Sequence, residues 1–119
     1  MSSKSLEPND FLPLSNLSFH VLLALGEEPA HGYAIGKDVE QRSGGKLKPT
    51  TGGLYQALKR LNEDGLIEQA TEEAQRGSDA RRQYFRLTDP GRRVAALEAH
   101  RLNELVAVAR DKDLYRGSV

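Results

Sequence analysis

Apolar positions recur at helical spacing in four stretches of the chain, and two short runs between the third and fourth read as strands. Leu14, Leu17, Val21, Leu22 and Leu25 fit one face of a first helix, with Ser15 as its cap and a stop near Gly26. Glu27, Glu28 and Pro29 form a loop, because proline and the residue before it disfavour helix. A second helix is predicted over 31–42, with Tyr33, Ala34, Ile35 and Val39 on its buried side and Ser43-Gly44-Gly45 ending it. The third, over 49–66, has the clearest pattern. Leu54, Leu58 and Leu61 share a face, Thr50 or Thr51 caps the start, and Gly65 sits where a left-handed cap would close the end. Leu66 to Gln69 and Tyr84 to Leu87 are the strand runs, joined by a polar segment that turns at Gly77-Ser78-Asp79. Thr88-Asp89-Pro90-Gly91 opens a last helix that runs to about residue 110. Its stripe of Val94, Leu97, Leu102, Leu105 and Ala109, widened by Val106 and Val108, has no later segment to cover it.

The third helix is the centre of this plan. Its polar face carries Gly52, Gln56, Lys59, Arg60 and Glu63, with Tyr55 on the flank. Alone it is an ordinary amphipathic surface helix. Its place as the second member of a helix-turn-helix, followed by two strands, gives it a sharper meaning. Small residues at its start (Thr50, Thr51, Gly52) allow close approach to DNA, an amide can reach base edges, and cations and a phenol can hold phosphates. The segment between the strands holds Arg76, Arg81 and Arg82, which suit phosphate or the minor groove. The expected fold is therefore mainly α with a small β-hairpin wing: a winged helix-turn-helix over 13–88 and a dimerisation helix over 89–110. A loose arm over 1–12 and a frayed tail over 111–119 complete the scheme.

Composition sharpens this. A length of 119 residues suits one domain with a modest core, the kind often completed by dimerisation. The formal net charge is zero, yet its distribution is uneven. Residues 1–43 hold three Lys/Arg against six Asp/Glu, residues 44–93 ten against seven, and residues 94–119 four against four. The local basic surface that phosphate needs thus coincides with the third helix and the wing. With no cysteine there is no disulfide framework and no thiolate metal site, which fits a cytoplasmic protein. No apolar run approaches the roughly 20 residues of a membrane span, and the N-terminal segment lacks a signal-peptide core.

Three stretches carry a resemblance: HGYAIGKDVEQRS at 31–43, PTTGGLYQALKRLNEDGLIE at 49–68 and RRQYFRLTDPGRR at 81–93. Through them the chain resembles the PadR-like transcriptional regulators, over about residues 14–110. The resemblance implies a sequence-specific DNA-binding repressor that acts as a homodimer through its C-terminal helix. It points to the short branch of the family, since there is no room for a long C-terminal domain. It also implies that Tyr55 holds a phosphate, that Gln56 and Lys59 face the groove, and that Arg81 and Arg82 lie at the wing. Dimer contacts are expected from Val94, Leu97, Leu102, Leu105, Val108 and Ala109.

Some members of that family sense small aromatic or cationic compounds between their subunits. Here a small-molecule effector would sit at the dimer interface, between the terminal helix of one subunit and the first helix of the other. Its lining would be Leu14, Leu17, Val21, Leu97 and Leu105, with Phe11 and Phe19 nearby; no tryptophan is present to stack on a ligand. Catalysis is not expected. His20, His31 and His100 are far apart, and no phosphate loop, nucleophile elbow or paired-histidine motif occurs, so neither metal nor cofactor is implied. The alternative is a winged helix used only for protein contacts, but that would place apolar anchors where Gln56, Lys59 and Arg60 stand.

Overall fold

The computed structural model describes residues 6–70 and 83–117 of the chain. Four helices and a three-stranded sheet follow one another in it: α1 (Asn16–Ala24), β1 (Ala30–His31), α2 (Gly32–Arg42), α3 (Thr51–Glu63), β2 (Ile67–Gln69), β3 (Tyr84–Leu87) and α4 (Asp89–Asp111). Each helix begins on a side-chain cap. Ser15 Oγ accepts from the Ser18 N–H at 3.0 Å, and Thr50 Oγ1 from the Gly53 N–H at 2.9 Å. His31 Nδ1 accepts from the Ala34 N–H at 3.3 Å, and Thr88 Oγ1 from the Gly91 N–H at 3.0 Å. A cap of this kind contributes about 1 kcal/mol. Of the two candidate caps for the third helix, Thr50 takes the role and Thr51 becomes its first residue.

The core draws Val21, Leu22 and Leu25 from α1, Ile35 and Val39 from α2, and Leu54, Leu58 and Leu61 from α3, closed by residues of the strands and by Val94. Gly65 ends α3 with φ +77°, a conformation that glycine adopts without strain. Thr88 then ties α4 to that end, its hydroxyl donating to the Gly65 carbonyl at 2.6 Å. Gly91 packs so closely on the Leu66 backbone that any side chain would collide with the Leu66 carbonyl.

Several expectations change. The sheet has a third strand: β1 pairs antiparallel with β3, which also pairs with β2, giving the order β1-β3-β2. Two residues are too few to show a period, so β1 was invisible in the sequence. Tyr33, placed on the buried side of α2, is 65% exposed. The N-terminal arm is not wholly loose: Pro8–Phe11 form a 3-10 turn against α4, and Phe11, Leu12 and Leu14 pack on the core. At the other end, Asp113 turns with φ +64°, the Leu114 N–H reaches the Ala109 carbonyl at 2.9 Å, and the Arg110 guanidinium lies over Tyr115. Residues 112–114 therefore close α4 in a turn.

Glu98 was passed over by the stripe, yet it is buried, at 2% exposure. Its carboxylate accepts from Arg101 at 2.6 and 2.9 Å and from the Leu14 N–H at 3.2 Å. Arg101 holds its pKa below the ordinary glutamate value; desolvation under a thin cover opposes this, and the Leu14 N–H adds a smaller lowering.

Candidate nucleic-acid interface

At 100° per residue, Leu54, Leu58 and Leu61 fix the inward side of α3. Gln56, Glu63, Gly52, Lys59 and Arg60 then fall on the outward side, and all five are exposed. The Lys59 ammonium lies 3.9 Å from the Glu63 carboxylate, a solvent-exposed pair that can open at little cost. Tyr55 is the sole large apolar or aromatic side chain of α3 that is exposed among the described residues, and it sits on the flank. The outer face thus lacks the apolar anchors of a protein-docking helix.

A groove runs along each flank. On the N-terminal side a cleft of about 560 Å³ separates α3 from the segment around Asp10, Phe11 and Ser15, with Gln56, Arg60 and Asp64 on its rim. On the α2 side a groove of about 280 Å³ has Gly32, Gly36 and Leu54 in its floor. Tyr55 leans across that groove. Its ring lies against Gly32, where a β-carbon would overlap the phenol. The Tyr55 hydroxyl is thereby fixed beside the first turn of α2, the positive end of that helix.

Thr50, Thr51 and Gly52 form the start of α3, Gln56, Lys59 and Arg60 continue along its outward face, and Tyr55 stands on the flank. Arg76, Arg81 and Arg82 lie outside the described residues. Two side chains that the sequence reading did not assign to the interface border the same surface. Tyr33 and Lys37 stand one turn apart on α2, on the side away from Ile35 and Val39, with the Lys37 ammonium 5.6 Å from the Tyr33 ring centre. An exposed aromatic and a cation at i and i+4 were the available signal.

The residues assigned to dimer contacts divide. Val94 is fully buried in the chain's own core, and Leu97 is half-buried. Val94 is therefore not available to a partner. Leu102, Leu105 and Val108 are exposed, as is Leu114, while Ala109 is half-buried. The expected effector lining changes with them. Val21 is fully enclosed by its own chain and is not available to such a lining, whereas Leu14 and Leu17 are half-buried against the same core. Of the histidines, His31 caps α2 and His100 is exposed 3.8 Å from Glu104. His20 Nδ1 is buried without a hydrogen-bond partner. No group of three or more potential metal ligands, and no helix long and apolar enough to cross a membrane, occurs among the described residues.

Comparison with known proteins gives a consistent result. The transcriptional regulator PadR-like family matches residues 21–97. A PadR family transcription regulator from Clostridium difficile superposes with a TM-score of 0.68 at 24% identity, over 80% of this chain and 95% of that one. Bacillus subtilis PadR, solved in complex with operator DNA, superposes with a TM-score of 0.59 at 24% identity, over 71% of this chain and 46% of that one. An uncharacterized 37.1 kDa protein encoded in a Streptomyces fradiae transposon is 41% identical over 85 residues. Those residues are 71% of this chain, which spans only 22% of that relative's length.

Proposed function

This chain belongs to the PadR-like family of transcriptional regulators, and from that premise we propose that it is a homodimeric repressor that binds operator DNA. The observation that carries the reading is the outward face of α3. Five exposed positions, two of them cationic, one an amide, one a glycine and one a carboxylate, stand on a helix whose opposite side is locked into the core. Such a helix fills a major groove, with Gln56 and Lys59 toward the base edges and Arg60 toward phosphate. The operator complex of the Bacillus subtilis relative supports the same use of the fold. Binding of a rigid dimer across a promoter excludes polymerase, which is the simplest route to repression.

Selection from a random duplex library tests this. The expected product is a two-fold symmetric sequence with half-sites about 34–36 Å apart, bound more tightly than random DNA and weakened by salt. A library that stays random through the selection, or an enriched site bound no better than unselected duplex, counts against the reading.

A further inference from the structure

The buried moorings of α4 lie in its first half. At its base the Thr88 hydroxyl donates to the Gly65 carbonyl at 2.6 Å, Gly91 packs on the Leu66 backbone, and the Arg92 guanidinium donates to the Gly26 carbonyl at 3.3 Å. Val94 enters the core one turn on. The next turn brings Glu98, the last buried residue of α4 among those described. From Glu98 to Asp111 the helix runs on for roughly 20 Å at 1.5 Å per residue. Burial alone would be served at this position by leucine or methionine, without the cost of desolvating a carboxylate. Apolar contact is non-directional and lets a helix slide or tilt, whereas a hydrogen bond has a preferred distance and angle. Glu98 accepts from the Leu14 N–H at 3.2 Å. That donor belongs to backbone that is itself held. Ser15 caps α1, and Val21, Leu22 and Leu25 of α1 share a core with Leu54, Leu58 and Leu61 of α3. The 3-10 turn Pro8–Phe11, just ahead of Leu14, lies against α4. Arg101 reaches the same carboxylate from α4 itself, so it steadies the side chain without tying the helix to anything.

We propose that Glu98 is a positioning residue for operator recognition: its bond to the Leu14 N–H fixes the direction in which the far half of α4 leaves the domain, and with it the half-site spacing that a dimer accepts. The role in spacing rests on the dimeric DNA-binding reading above; the mooring itself does not. The bond ties α4 to the same frame that carries the outward face of α3, so the angle between the two helices is set there. The lever is long enough to matter. A swing of about 10° at Glu98 shifts the end of α4 by about 3.5 Å, which is one base-pair step along a strand. A dimer that tells operators apart by a single base pair of spacing needs α4 held more tightly than that. Glu98 touches no base and no phosphate in this scheme; it acts through the helix it orients.

The test uses the full chain and two readouts. The sequence has no cysteine, so Asn62→Cys on α3 and Ala107→Cys on the far half of α4, both exposed, carry the only spin labels. Labelled chains are diluted in unlabelled protein, and the distance between the labels is measured by pulsed electron resonance. Three changes are compared in this background. Glu98→Met fills the space and removes the acceptor. An ester in place of the amide at Leu14 removes the donor and leaves every side chain intact. Arg101→Met removes the neighbouring ion pair and leaves the mooring. The parent and Arg101→Met should give one narrow distance, and the other two should widen it by about 4 Å, the travel of Ala107 for a 10° swing about the base of α4. If Glu98→Met does not fold, the ester alone decides. The second readout is binding to a selected operator and to versions lengthened or shortened by one base pair at the centre. The wild type should lose about tenfold on either change, and the unmoored chains about threefold or less. Equal widths in all four proteins, or widening by Arg101→Met as well, would overturn the mooring. Widening without a change in spacing preference would overturn the role in recognition and leave the DNA reading standing. A wild type that binds no duplex removes both the DNA reading and the spacing role, whatever the distances show.

Discussion

A single glutamate shows how residue-level physics shapes this molecule. Glu98 falls four residues after Val94 on the inward face of α4, where a sequence reader looks for an apolar side chain and passes on. The structure buries it because two partners arrive from different places: Arg101, three residues on, and the Leu14 N–H from the N-terminal segment. The partner three residues on was legible; the backbone donor from 84 residues away was not. Because its folded pKa is depressed, ionised Glu98 adds stability that is fully present above about pH 4.3 and is lost as pH falls through the lower folded value. Glu98→Gln should therefore cost on the order of 1–3 kcal/mol at neutral pH. The low end is expected, since the Arg101 side chain is 38% exposed and water screens the pair. In thermal or urea unfolding the wild type and variant curves should converge on acidification. A constant gap from pH 7 down to pH 3 would mean that the carboxylate's charge plays no part.

At the scale of elements, legibility follows length and periodicity. The caps at Ser15, Thr50 and Thr88 and the three leucines of α3 were readable because each rests on spacing within one segment. Strand β1, the exposure of Tyr33 and the docking of the 3-10 turn depend on distant neighbours, and no local pattern announces them. The division of α4 is the instructive case. Its stripe is continuous in sequence, yet the first half (Gly91, Val94, Glu98) is covered by its own domain and the second half is not. Within α3 the outward positions divide by chemistry as well. Gln56 carries an amide that can pair bidentately with adenine, whereas Lys59 and Arg60 carry charge that any phosphate can use. Gln56→Ala should cost about 1–3 kcal/mol at a selected site and little on random duplex, with the salt slope unchanged. Equal loss on both duplexes would remove Gln56 from base readout.

At the scale of the whole molecule, the uncovered half of α4 sets the remaining question. A helix of 23 residues is roughly 34 Å long at 1.5 Å per residue, a large part of a chain whose extents are 51 × 42 × 24 Å. Leu105 and Val108 lie on the continuation of the Val94–Glu98 face, 54% and 47% exposed, with Leu102 on one edge. We expect a second copy to cover this strip: two such helices would bury one another's strips about a two-fold axis, and the same axis would set the separation of the two α3 helices. Because Leu105 and Val108 are exposed within the chain, aspartates there should spare its own core while placing two charges in a dry interface. Light scattering should give a mass near twice 13.1 kDa for the wild type and near 13.1 kDa for Leu105→Asp/Val108→Asp. The variant should keep its helical circular dichroism and lose its preference for a two-fold site over a single half-site. A wild type that scatters as a monomer at high concentration, or a double-aspartate chain that remains a dimer, would place the subunit contact elsewhere or nowhere on α4.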